Sequence, residues 1–101
     1  MRGGNNEKVL LDLNFPPFQD DLLALEAPDI KKILKTLKKL TSLTWNEVFR
    51  DKGLHWEEIK TVTGKYTIRL SQSYRAIVTR DGNGMRFLAL HKDHDGAYGK
   101  K

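Results

Sequence analysis

Cysteine is absent from this 101-residue chain. A disulfide framework, thiolate zinc sites and thiol catalysis are thereby excluded. Long apolar runs are missing too: nothing approaches the roughly 18 residues of a membrane span, and no signal peptide is visible. A cytoplasmic protein with no membrane partner is the default expectation. Acid is scarce in two stretches. Residues 31–39 hold Lys31, Lys32, Lys35, Lys38 and Lys39 without a carboxylate. Residues 60–92 hold Lys60, Lys65, Arg69, Arg75, Arg80, Arg86 and Lys92 against Asp81 alone. There is no nucleotide-binding glycine loop, because Asp81-Gly82-Asn83-Gly84 joins two strand-like runs and does not open a helix. No serine–histidine motif, internal repeat or low-complexity segment is present.

What remains is an ordinary hydrophobic fraction of 39% and a net charge of +5. A chain of this length buries about two-thirds of its unfolded surface, which is enough for one modest core. A flexible N-terminus over 1–7 and a single domain over 8–101 are expected. The acidic side chains gather in residues 1–29, six against two basic. Positive charge is left to one helix and to the C-terminal strands, the distribution of a surface that meets a polyanion.

The pattern predicts an α+β fold. Val9 to Leu13 reads as a first strand, stopped by Asn14-Phe15-Pro16-Pro17, whose prolines suit the first turn of a helix. Phe15, Phe18, Leu22 and Leu25 recur on one helical face. A second helix follows Ala27-Pro28-Asp29, with Ile30, Ile33, Leu34, Leu37 and Leu40 as its apolar stripe and the five lysines elsewhere. Thr44 and Glu47 fit a capping box for a brief third helix that Gly53 would end, with Trp45, Val48 and Phe49 facing the core. Trp56 to Lys60 is a candidate strand. Tyr66, Ile68 and Leu70 then alternate with Thr67, Arg69 and Ser71, and Tyr74, Ala76 and Val78 with Arg75, Ile77 and Thr79. The Asp81–Gly84 turn signals a hairpin into the more continuously apolar run from Met85 to Leu90. The expected architecture is a helical layer on one face of a three- to four-stranded antiparallel sheet.

Alternation puts Arg69 and Arg75 on the polar sheet face, where two guanidiniums make a forked site for phosphate oxygens. The last segment, His91-Lys92-Asp93-His94-Asp95-Gly96-Ala97-Tyr98, gathers imidazoles, an ammonium, carboxylates and a phenol. Histidine moves protons near neutral pH and lysine stabilises an oxyanion. The H-x-x-H spacing of His91 and His94 lacks an obvious third ligand, so no metal or other cofactor is expected.

Tyr66-Thr67-Ile68-Arg69-Leu70, Ser73-Tyr74-Arg75-Ala76-Ile77-Val78 and Leu90-His91-Lys92-Asp93, with the closing Tyr98, resemble the RelE/ParE superfamily of bacterial toxins. The likeness spans roughly Lys8 to Tyr98. It implies a toxin of a type II toxin–antitoxin pair, in the RelE-like branch a ribosome-dependent mRNA endoribonuclease (mRNA interferase) that inhibits translation. There the ribose 2′-hydroxyl attacks the adjacent phosphate without a metal. By position the resemblance assigns Arg75 and Arg69 to the phosphate. It assigns Lys92 with His91 or His94 to acid–base work, and Tyr98 to stacking or proton transfer. Lys31, Lys35, Lys38 and Lys65 would meet ribosomal RNA through its phosphates. The implied partners are a cognate antitoxin, the ribosome and mRNA.

Departures are visible as well. Thr67 stands where some RelE members place a lysine, and histidines replace part of the terminal arginine cluster, as in histidine-using branches. Glu57 or Glu58 is an alternative base. Two other readings are a ParE-like DNA gyrase poison and a non-catalytic basic RNA- or DNA-binding module.

Overall fold

A computed structural model describes residues 4–92. The elements run β1 (Leu10–Asp12), α1 (Pro16–Leu23), α2 (Ala27–Leu40), α3 (Trp45–Arg50), β2 (Glu57–Glu58), β3 (Lys65–Arg69), β4 (Tyr74–Asp81) and β5 (Gly84–Lys92). The strands form one five-stranded sheet in the order β1-β5-β4-β3-β2. Four of them are antiparallel neighbours, while β1 lies parallel to β5. The first strand thus belongs to the same sheet, and β5 becomes an interior strand, which accounts for its apolar run.

One face of the sheet carries the core. Ile68, Leu70, Tyr74, Ala76, Val78, Met85, Phe87 and Leu90 are buried there beneath Phe18, Ile33, Leu37, Leu40, Trp45 and Val48 of the helices. Phe18 packs its ring 5.2 Å from that of Phe87, tying α1 to β5. Past the end of β1 the outer edge of β5 is covered by α1, whose Asp21 carboxylate accepts the Leu90 N–H at 3.1 Å. Prolines stand in the first turns of α1 and α2 as expected. The Thr44–Glu47 capping box is formed in both directions. The β4–β5 hairpin turns at Gly82, whose φ of +62° suits the first central position of a two-residue turn. Opposite Ile77 and Val78 the register shifts from Ala89 to Phe87, leaving Leu88 as an extra residue in β5.

Several expectations are corrected. The third helix ends at Arg50, not at Gly53, because the Asp51 side chain turns back to accept the N–H groups of Gly53 and Leu54. Phe49 is 41% exposed and Leu34 is 50% exposed, so neither belongs to the core. A 14-residue helix offers only a narrow buried seam, and Ile33, Leu37 and Leu40 fill it. The strand expected over Trp56–Lys60 is two residues long, because Trp56 is drawn into an aromatic cluster with Trp45, Phe49 and Tyr66. Ahead of β1 the Asn5 and Glu7 carbonyls accept from the N–H groups of Asn46 and Trp45 at the start of α3. Among the described residues no helix is long and apolar enough to cross a membrane.

Candidate functional site

Because the helices occupy one sheet face, the other is open to a partner. Register decides which side chains stand on it. Arg69 pairs directly with Arg75, and Arg75 with His91, so the three form a row across β3, β4 and β5. Directly opposed residues point the same way, at strand spacings of about 5 Å. A second row, one step along, runs Glu57–Thr67–Ile77–Ala89, and a third joins Lys65, Thr79 and Arg86.

Arg75 is the centre of this face. It is 8% exposed, the one buried charged side chain among the described residues. Its Nη2 donates to the Thr67 hydroxyl at 2.7 Å and to the His55 carbonyl at 3.1 Å. Two acceptors on one nitrogen fix the plane of the guanidinium. Both acceptors are neutral, so the positive charge is held without being cancelled. Arg69 lies beside it and also borders a groove of about 320 Å³, lined by Thr36, Lys39, Leu54 and Ser71 among others. The expected fork of two guanidiniums is thus a directly opposed pair in which Arg75 is sunk and oriented.

Around this pair the sequence readings separate. His91 is exposed on the same face, with its Nδ1 3.1 Å from the Lys92 carbonyl. A carbonyl only accepts, so Nδ1 donates in that contact and Nε2 is the ring nitrogen left for proton exchange. Lys92 alternates to the other side, where it pairs with Tyr74 and its ammonium lies 5.9 Å from the Tyr74 ring centroid. The structure does not bring Lys92 to the row that holds His91. His94 and Tyr98 lie outside the described residues. Of the two glutamates, Glu57 faces Thr67 and so stands on the arginine face, whereas Glu58 is opposite Tyr66 and turns away.

The lysines fall into two groups. Lys65 shares the face with Arg69 and Arg75. Lys31, Lys35 and Lys38 ring the exposed Leu34 on the outer side of α2, so the sheet lies between them and the arginine row. The positive charge of the sequence therefore makes two surfaces, not one. Lys39 is taken up by Asp51 at 2.7 Å, and Arg86 stands 3.6 Å from Asp12. The Lys39 ammonium, aided by the Leu54 and Gly53 N–H groups and opposed by burial, holds the Asp51 carboxyl below the usual aspartate range. Arg80 is structural: its guanidinium lies 4.1 Å from the Trp45 ring and bonds to Asn5 and Gly82.

Sequence reasoning missed His55. Its Nε2 is 3.6 Å from Glu57 Oε1, and its carbonyl is one of the two anchors of Arg75. No spacing motif marks it. Its only sequence signal is a position two residues before a candidate glutamate.

No known family matches the sequence, and no curated protein matches it. Solved structures match the fold. A chain of the RelBE2 toxin–antitoxin complex of Mycobacterium tuberculosis aligns over 89% of this chain and 99% of its own, with TM-score 0.59 and 14% identity. The YoeB dimer of Staphylococcus aureus aligns over 87% and 99%, with TM-score 0.54 and 22% identity. The chain has the RelE-like fold. A chain of the YoeB–YefM complex of the same organism aligns over 84% and 97%, with TM-score 0.52 and 21% identity. In this RelE-like fold the helix-free sheet face carries the candidate site.

Proposed function

We propose that this chain is the toxin of a type II toxin–antitoxin pair and that its helix-free sheet face cuts messenger RNA on the ribosome. The observation that carries the reading is the row Arg69–Arg75–His91 with Glu57 on the same face. Cleavage by the ribose 2′-hydroxyl forms a new 2′-O–P bond and breaks the P–5′-O bond. Attacking and leaving oxygens lie on opposite sides of the phosphorus. A group that removes the 2′ proton and one that protonates the 5′ oxygen must therefore flank the phosphate. Glu57 and His91 stand on strands either side of Arg75. With the phosphate at Arg75, Glu57 takes the 2′ proton and His91, in its protonated form, supplies one to the leaving oxygen. Arg75 and Arg69 stabilise the charge that builds on the non-bridging oxygens. By the resemblance, Lys92 and His94 add to the acid–base work and Tyr98 stacks on a base or assists proton transfer.

Lys65 extends the positive face for the RNA backbone. Lys31, Lys35 and Lys38 form a second phosphate-binding surface towards ribosomal RNA, a salt-dependent and sequence-blind contribution. A cognate antitoxin with an acidic segment neutralises the arginine face by covering it. The cytoplasm is the compartment of this reaction.

The test is toe-printing on a translating ribosome with purified protein, wild type against Arg75→Ala. Cleavages in the ribosomal A site that vanish in the variant are expected. Growth arrest on expression without cleavage would refute the nuclease reading.

A further inference from the structure

Left-handed backbone is rare and strained for a residue with a side chain and persists only where its surroundings enforce it. His55, with φ of 49°, is the one non-glycine residue with positive φ among the described residues. Both of its neighbours are fixed. Leu54 is buried, its N–H donates to Asp51 Oδ1, and its carbonyl accepts the Arg69 N–H at 2.7 Å. Trp56 stacks on Tyr66 with centroids 4.7 Å apart and meets Trp45 edge-on. The chain must turn between these two anchors in a single residue. The turn sends the His55 carbonyl to Arg75 and the imidazole to Glu57. One residue thereby hydrogen-bonds the buried cation through its main chain and stands 3.6 Å from the carboxylate of the candidate site through its side chain.

We propose that His55 is a positioning residue, which locks the Arg75 guanidinium through its carbonyl and restrains the Glu57 carboxylate through its imidazole. The inference rests on the nuclease reading above. His55 is not itself a catalytic residue, because it acts through Glu57 and Arg75. With only Thr67 as an anchor, Arg75 would pivot about a single bond. The second acceptor removes that freedom. Among the described residues, little else sets the rotamer of Glu57, exposed at the sheet edge on a two-residue strand.

Glycine and asparagine both accept left-handed backbone, so His55→Gly and His55→Asn keep the carbonyl in place and delete only the imidazole. The experiment is single-turnover cleavage on programmed ribosomes, with the urea midpoint of each variant measured alongside. Both variants should have a urea midpoint no lower than wild type, because each relieves the left-handed strain, and the wild-type KM for ribosomes, while kcat falls about tenfold to a hundredfold, the scale of a misplaced catalytic group. His55→Gln, whose amide nitrogen reaches about as far as Nε2, should recover part of the loss. In a Glu57→Gln background His55→Gly should cost nothing further. Wild-type cleavage by His55→Gly, a rise in KM with kcat unchanged, or an undiminished effect in the Glu57→Gln background would each overturn the inference. Failure of the wild-type protein to cut would remove the nuclease reading and this inference together, and is told apart because it appears without any mutation.

Discussion

The anchoring of Arg75 has a measurable energy. Thr67→Val removes the hydroxyl that accepts from Nη2 at 2.7 Å but keeps a β-branched side chain in β3, so strand preference and shape are retained. Hydrogen bonds to charged groups contribute about 1.5–3 kcal/mol, and an abandoned buried donor has a comparable penalty. Thr67 is only half-buried, so water replaces part of the lost bond. A destabilisation of about 1.5 kcal/mol is therefore expected. With a urea m-value of about 1.5 kcal/mol/M for a protein of this size, the midpoint should fall by about 1 M. Buried Trp45 gives the fluorescence signal for the assay. A double-mutant cycle with Arg75→Met should return a coupling of the same order, because the two residues share the bond. A midpoint unmoved by Thr67→Val, with no coupling, would refute the claim that this hydroxyl holds the guanidinium.

The turn that carries His55 should be acid-sensitive. The Asp51 carboxyl is held below its ordinary value of 3.8, first by the bond from Lys39, so its stabilisation is present above that value and is lost as pH falls through the lower folded one. Asp51→Asn should lower stability by about 0.5–1 kcal/mol at pH 7, and the gap to wild type should narrow progressively as pH falls below 3.8, as denaturation midpoints at pH 7 and along an acid series would show. A gap that is constant with pH would count against the ion pair. The two neighbouring glutamates should differ sharply. Glu57→Gln is expected to slow cleavage by about 10²- to 10⁴-fold and Glu58→Gln to leave it within a few-fold, measured on the same ribosome assay. The reverse order would refute the proposal that Glu57, on the arginine face by the β2–β3 register, is the base.

Much of the scaffold was legible because it depends on local rules. Prolines at helix starts, the Thr44–Glu47 box and the Asp81–Gly84 turn are short-range signals, and each appears where the residues imply it. The arginine face was legible for the same reason: alternation alone puts Arg69 and Arg75 together. What the sequence hid depends on three-dimensional neighbours. Gly53 looks like a helix stop, yet the Asp51 side chain does that work from two residues earlier. Lys92 looks like a partner of His91, but adjacent residues of a strand point apart. His55 gave no sign, since its role comes from a backbone turn fixed by a salt bridge on one side and an aromatic cluster on the other.

The contrast among the cations explains why Arg75 is the centre of the site. Lys39 and Arg86 each have a carboxylate within 4 Å, and Arg80 is spread over a ring and peptide oxygens. Those charges are neutralised or dispersed, which suits cations that hold a fold together. Among the described residues Arg75 has no carboxylate partner, and its anchors are a hydroxyl and a carbonyl. Burial without a counter-ion is unfavourable for stability, since desolvation of the charge is only partly offset by neutral acceptors. The same arrangement leaves most of the charge available in a low-dielectric setting, where an incoming phosphodiester feels it far more strongly than it would at an exposed lysine. A group that is oriented before the substrate arrives, and whose charge is not already spent on a carboxylate, meets the physical requirement for stabilising a phosphorane. That is why we place the proposed chemistry in the row through Arg75 and not among the more numerous lysines of α2.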